Sequence, residues 1–374
     1  MQTKDQDLSM ADVYGSDPLA KLLIGRWKIK PTIFALIIFF WGIIFLVLLP
    51  AIFGYLFPSK GIIRSSIVDR YNQINFLIIF PSLAYYYVAQ SKIIIRLYKV
   101  ISKYVPVLGD PAISTNSYIW MQNAKKYWAI PGMLFAILGM ILGTYDNAFN
   151  KLGTFWYSAN WFMLILMQLT RGIVFYILIT VAIRHLVASI GLNKIFEQTE
   201  APLVFTSIKQ NTLFQAVNKY AFSFASIVAI VGLALGLQPI LSNPPIPEYY
   251  IFVAVYFILA PVSFFLPIWQ IHKEMVNNKG KILEDLNTKL QSEYKEFLES
   301  FEEKNDAAIK KSEEISTRLQ LIHQAIVMAE ECPNWPFNVN TMYRLGVTIV
   351  SPFFLTIINR ISEFGNQLFD SLIN

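Results

Sequence analysis

Up to about residue 271 the apolar positions of this chain come in near-continuous runs of about twenty rather than at the spacing of an amphipathic helix or strand. At about 1.5 Å rise per residue, such a run covers a hydrocarbon layer of about 30 Å. Six segments qualify: 31–57, 73–91, 127–144, 156–183, 221–241 and 249–271. The second is the most polar, with Asn72, Gln73, Asn75, Pro81 and three consecutive tyrosines, Tyr85 to Tyr87, in or beside it. The pattern predicts an all-α fold: a polytopic transmembrane helical bundle of about six spans. The first run is too long for a signal-peptide core and no small-residue cleavage site follows it, so it is expected to stay as an anchor.

From His272 the pattern turns polar, helix-forming and free of proline as far as Glu331. Leu283, Leu286, Leu290, Tyr294, Phe297 and Phe301 mark one apolar stripe, and Ile315, Leu319, Ile322 and Ile326 mark another. One heptad register carried through both would bury Lys304, Lys311 and Arg318, which disfavours a single long coiled coil. A turn at Asn305 and Asp306, with Asp306 capping the second helix, predicts two antiparallel helices of about 25 residues each. Pro333 and Pro336 then stop the helix, and Trp335, Pro336 and Phe337 are expected to form a turn at the membrane interface. Residues 341–359 are apolar apart from Arg344 and their ends, long enough either to span or to lie along the membrane, and the last residues form a weakly amphipathic tail. The expected division is 1–30 as a cytoplasmic segment, 31–271 as the transmembrane core, 272–332 as a cytoplasmic hairpin and 333–374 as a membrane-associated or spanning helix and tail.

Charge refines this picture. The net charge is +6, yet residues 272–331 hold nine Lys and Arg against thirteen Asp and Glu, so the excess of cations lies in the membrane part. Nucleic acid is thereby a poor partner, and lysines facing anionic lipid explain the high pI better. Cation-rich and cation-poor loops alternate, with Lys21, Arg26, Lys28 and Lys30 ahead of the first span and Arg184, Lys194, Lys209 and Lys219 after the fourth. That alternation predicts a cytoplasmic N-terminus. The exception is the first outer loop, with Lys60, Arg64 and Arg70. A single cysteine, Cys332, excludes an intrachain disulfide and a cysteine-based metal site.

Catalytic signatures are missing: no phosphate-binding glycine loop, no metalloprotease motif, and only three histidines, His185, His272 and His323, far apart in sequence. No catalytic residue, cofactor or metal is therefore expected, and the chain reads as a non-enzyme. Gly139 and Gly143, and Gly232 and Gly236, have the spacing of close helix contacts. Pro131, Pro261, Pro267 and Pro352 can kink spans. The sharpest polar feature is Arg171, inside the fourth run with Gln168 beside it and Asn160 earlier. A guanidinium keeps its proton, so it needs acceptors or water. No acidic residue between 31 and 271 falls inside a span, which leaves Gln168, Asn160, tyrosines of the second span, freed carbonyls, a lipid phosphate or a permeating anion as partners. Snorkelling to an interface, lining an anion path and a subunit contact all stay open.

The peptide Asp17, Pro18, Leu19 ahead of the first span, the helical hairpin, the Trp335, Pro336, Phe337 turn and the proline-containing hydrophobic helix resemble a pattern in bacterial polytopic membrane proteins that carry no assigned activity. The resemblance implies a fold and a multi-pass place in the bacterial inner membrane. Those proteins carry a histidine-proline-aspartate peptide with glycines between the fourth and fifth spans, whereas this chain has "APLVFTSIKQNT" there. The leading expectation is an ion or small-solute permeation path, a homo-oligomer in the lipid bilayer, with the hairpin as a cytoplasmic gate. The alternative is a membrane-anchored scaffold whose hairpin, over residues 280–331, binds a soluble partner.

Overall fold

The computed structural model describes residues 17–57, 64–108, 129–145, 154–197, 212–241, 248–302, 306–337 and most of 340–358. These residues form an all-α bundle with no strand among them, one isolated bridge between Arg64 and Phe155 apart. Helix α1 runs over Pro18–Ala20 and widens into a π-helical turn at Lys21–Arg26. Helix α2 covers Pro31–Ile43, a π turn and Leu49–Phe53; α3 begins at Arg70 and runs to Leu108; α4 is Ala129–Tyr145. Then follow α5 (Trp161–Glu197), α6 (Thr212–Leu241) and α7 (Glu248–Phe265), which passes through a 3-10 turn into α8 (Trp269–Glu302), and finally α9 (Asp306–Glu331).

Five helices are long and apolar enough to cross a membrane, and α4, with 17 residues, is the short sixth apolar helix. The chain is thus a membrane-embedded protein. Its outer surface agrees: Leu36, Phe40 and Ile52 on α2, Leu134 and Ile141 on α4, and Ile258 on α7 are all more than half exposed, a composition suited to lipid rather than water. The polar second run is a full span whose polarity faces inward, since Asn75, Tyr86, Tyr87 and Gln90 are buried.

Several boundaries differ from the expected ones, among them the end of the second span, which runs to Leu108 and not to 91. Helix α5 starts five residues late, behind a buried turn at Trp156 and Tyr157, and continues 14 residues past 183, so Arg184 is inside a helix and not in a loop. Helix α6 starts nine residues before 221. Composition changes at His272, but the helical backbone does not, because α8 begins at Trp269, directly after the turn at Leu266–Ile268. The hairpin itself is present, with α8 and α9 of 34 and 26 residues joined across 303–305. Lys311 pairs with Glu296 at 2.9 Å and Arg318 with Glu293 at 3.3 Å. Asp306 begins α9, but its capping side chain lies outside the described residues, as does Pro352.

Close packing rests on glycines. A Cβ at Gly139 would meet the Phe175 ring at 2.7 Å and one at Gly232 the Tyr256 ring at 2.6 Å, so these two glycines serve contacts within the chain. Gly42 is less forgiving, because the atom a Cβ there would meet at 2.8 Å is the backbone carbonyl oxygen of Phe76. Lys28 holds the left-handed conformation at φ 51°, which reverses the chain between α1 and α2 while Ile29 N–H donates to the Leu23 carbonyl at 2.8 Å. A lysine there costs about 1–2 kcal/mol, which a glycine would not.

Two glycine substitutions should act in opposite directions. Gly42→Ala forces a methyl against backbone that cannot swing away and should destabilise by about 1–3 kcal/mol. Gly280→Ala, on exposed α8 with nothing within 4 Å, should stabilise that helix by about 0.5–1 kcal/mol. Thermal unfolding of both in detergent micelles checks the pair; equal shifts would contradict this packing.

A candidate site around a buried aspartate and arginine

Asp17 precedes Pro18 and sits at the N-cap of α1, so its carboxylate accepts the free amides of the first turn: Leu19 N–H at 3.0 Å and Ala20 N–H at 3.1 Å. It is fully buried, and three further donors converge on it from two spans. Tyr176 of α5 donates to Oδ1 at 2.6 Å, Tyr87 of α3 donates to Oδ2 at 2.7 Å, and the Arg184 guanidinium of α5 bonds Oδ2 in a fully buried ion pair. The same guanidinium lies 4.8 Å from the centre of the Tyr87 ring, a cation–π arrangement that strengthens where water is excluded. Gln90 donates to the Val181 carbonyl at 2.8 Å, a further tie between α3 and α5.

The next residue extends the network. His185 is buried, bonds the Ser263 carbonyl of α7 through Nε2 at 2.7 Å and stacks on Phe224 of α6 at 3.6 Å. A carbonyl only accepts, so Nε2 carries a proton. Tyr220 donates back to the His185 carbonyl at 3.2 Å. Arg184 and His185 thereby tie α1, α3, α5, α6 and α7 together.

Chemically the cluster is saturated: a carboxylate with five donors, next to a cation that neutralises it. Beside it, His185 Nδ1 is buried without a hydrogen-bond partner. The cluster can hold a peptide in place, and its charges have few polar groups left over, with Arg184 Nε and Gln90 Oε1 among the buried atoms lacking a partner. Among the described residues no group of three or more His, Cys, Asp or Glu could hold a metal ion.

Arg171 has different surroundings. It is half-buried, and Nη1 donates to Gln168 Oε1 at 3.3 Å. A Cβ at Gly143 would fall 2.1 Å from Arg171 Nη1 and 2.4 Å from Gln168 Oε1. The guanidinium therefore lies on the backbone of Gly143, two residues from the C-terminus of α4, where the last-turn carbonyls lack intrahelical partners and the helix dipole favours a cation. Gln168 joins it, but Asn160 does not: its Oδ1 accepts from Phe162 N–H at 2.8 Å and caps α5, about 15 Å along the helix from Arg171.

The Trp335 turn makes its contacts with protein. Trp335 stacks on His272 at 3.6 Å and 5°, Phe337 packs on Phe264 at 5.8 Å, and both Pro336 and Phe337 are buried. His272 Nδ1 also bonds the Asn334 carbonyl at 2.6 Å, and Lys279 donates to the Glu330 and Cys332 carbonyls at 2.7 and 3.0 Å. This joint fixes the base of the hairpin to the bundle, and His185 and His272 have separate partners. One side of the hairpin carries its ion pairs. The other holds a groove of about 480 Å³ lined by Leu290, Tyr294, Phe297, Leu319 and His323 with neutral Gln291, Ser316 and Gln320.

No protein-family model, curated protein or solved structure matches the chain.

The sequence pattern does not pair Asp17 with Arg184, since Arg184 reads as a loop cation after the fourth run and Asp17 lies ahead of the first. The aspartate-proline peptide was the signal, as Asp before Pro is a helix start whose carboxylate has backbone donors waiting. Asp17→Asn leaves Arg184 buried without its counter-charge and should cost about 3–5 kcal/mol. Asp17→Asn with Arg184→Gln should recover part of that loss. A thermal double-variant cycle reads the coupling, and additive losses would mean that the pair does not interact.

Proposed function

We propose that this chain is a non-enzymatic membrane-anchored docking protein whose helical hairpin receives a basic amphipathic helix of a soluble partner. One observation carries the reading: the groove between α8 and α9. Leu290, Phe297 and Leu319 line it, yet Tyr294 at its edge remains 55% exposed and Leu298, one turn on, 51% exposed. A two-helix hairpin cannot bury both sides of its own seam, and an apolar groove of this kind is the shape that an amphipathic helix fills.

Charge selects the occupant. The hairpin carries thirteen carboxylates against nine cations, which repels a second acidic hairpin and an anionic lipid surface alike and favours a partner with Lys and Arg flanking its apolar face. The joint at Trp335 and the continuous path from α7 into α8 hold the groove at a set place relative to the membrane, as docking requires.

The permeation reading asks for polar groups of several spans facing a shared lumen. Asp17, Tyr87, Tyr176 and Arg184 instead engage one another, and Arg171 rests on the end of α4. These arrangements lend more support to docking than to conduction.

The test uses the full chain in nanodiscs of neutral lipid, with a synthetic Leu- and Lys-containing amphipathic helical peptide as probe and its Glu-containing counterpart as control. The basic peptide should bind, the acidic one should not, and Leu319→Glu should weaken binding at least tenfold. Equal binding to wild type and variant, or light scattering that finds the groove closed by a second copy, would refute docking of this partner. Chloride flux through liposomes above that of empty ones would favour the permeation reading instead.

A further inference from the structure

The segment between the buried aspartate and the first span carries cations that none of the contacts above uses. Ala20 and Leu23 of α1 are buried against α3, in one apolar cluster with Val88 and, at its edge, Ile93. The opposite face is polar and exposed: Lys21, Arg26, Lys28 and Lys30 all face outward, and Trp27 among them is 57% exposed. Lys92, beside Ile93 on α3, is exposed at the same level. Pro31 then opens α2, whose outer surface is apolar.

An exposed indole beside several cations at the mouth of an apolar helix is the composition of a headgroup-level anchor: the ring suits the wet edge of the hydrocarbon, and the cations suit phosphate. The backbone adds an independent observation. Lys28 stands at a left-handed turn where glycine would be unstrained, so its side chain is kept there against a backbone penalty. The turn aims Trp27 and Lys28 outward while Ile29 packs back into the cluster.

We propose that Lys21, Arg26, Lys28 and Lys30, with Trp27, form a collar that binds the phosphate headgroups of anionic phospholipid, and that Asp17 in its buried site holds this collar at the membrane surface. A soluble phosphate compound shares the charge but has no use for an exposed tryptophan next to an apolar helix, so the lipid is the ligand. The acidic hairpin plays no part in this site, and the inference is independent of the docking reading.

The experiment reconstitutes the full chain in phosphatidylcholine nanodiscs containing a minority of phosphatidylglycerol and measures the lipid retained on the protein by native mass spectrometry. Wild type should retain phosphatidylglycerol above its share. Lys28→Gly should lower that enrichment about fivefold, the equivalent of about 1 kcal/mol for one basic residue, while raising thermal stability in pure phosphatidylcholine, which certifies that the variant is folded. Lys21→Gln with Arg26→Gln and Lys30→Gln should abolish the enrichment, and Lys281→Gln with Lys289→Gln and Lys295→Gln on the hairpin should leave it intact. No enrichment in wild type, an unchanged enrichment in a stabilised Lys28→Gly, or displacement of the lipid by millimolar inorganic phosphate would each overturn the collar.

Discussion

The bundle depends on one buried ion pair. A carboxylate removed from water is costly unless its charge is matched and its lone pairs are used, and Asp17 meets both demands only where α1, α3 and α5 converge. Two backbone amides, two phenols and a guanidinium reach it because Tyr87, Tyr176 and Arg184 sit on the inward faces of two spans. The converse holds for Arg184, whose charge in that interior is tolerable only while the N-terminal peptide is in place. The segment before the first span is therefore part of the bundle rather than an appendage, and the position of α1 follows from electrostatics as much as from the burial of Ala20 and Leu23.

Arg171 and Arg184 lie on the same helix and solve the same problem in different ways. Thirteen residues apart on α5, they sit about 20 Å from each other along the axis. Arg184 uses a formal negative charge. Arg171 uses partial ones: the side-chain oxygen of Gln168 and the C-terminal end of α4, which is short enough to end at its level. Gly143 permits this, because any side chain there would occupy the space of the guanidinium. A cation inside an apolar run thus marks the end of a neighbouring helix, and the pore that it first suggests is not needed to account for it.

This difference explains how much of the molecule was legible in the sequence. The spans could be read because apolar runs of about twenty residues have one stable form in lipid, and the hairpin because Lys304, Lys311 and Arg318 forbid the longer register. Helix ends were harder: α5 runs past Ile183 with Arg184, His185 and Ser189 buried inside the protein, and a hydropathy pattern treats them as exits from the membrane. The Asp17–Arg184 pair joins residues 167 positions apart, a relation that periodicity does not contain. Trp335 and Phe337 read as membrane anchors because aromatic residues suit both a headgroup layer and a protein seam, and their contacts with His272 and Phe264 are not legible in the pattern.

The same kind of contact joins the base of the hairpin to the spans. From α7 the chain enters α8 through one short turn, and His185 bonds the carbonyl of Ser263, only three residues before that turn begins at Leu266. At the start of the turn Asn193 of α5 donates to the Leu266 carbonyl at 2.7 Å, and beyond it Asn193 Oδ1 accepts from Gln270 N–H at 3.3 Å while Trp335 stacks on His272. The base of the hairpin is thus held by the helix that carries Arg184. Because packed interiors resist small deformations, these contacts brace the base of the hairpin, as far as Lys279, against the helix that carries Arg184.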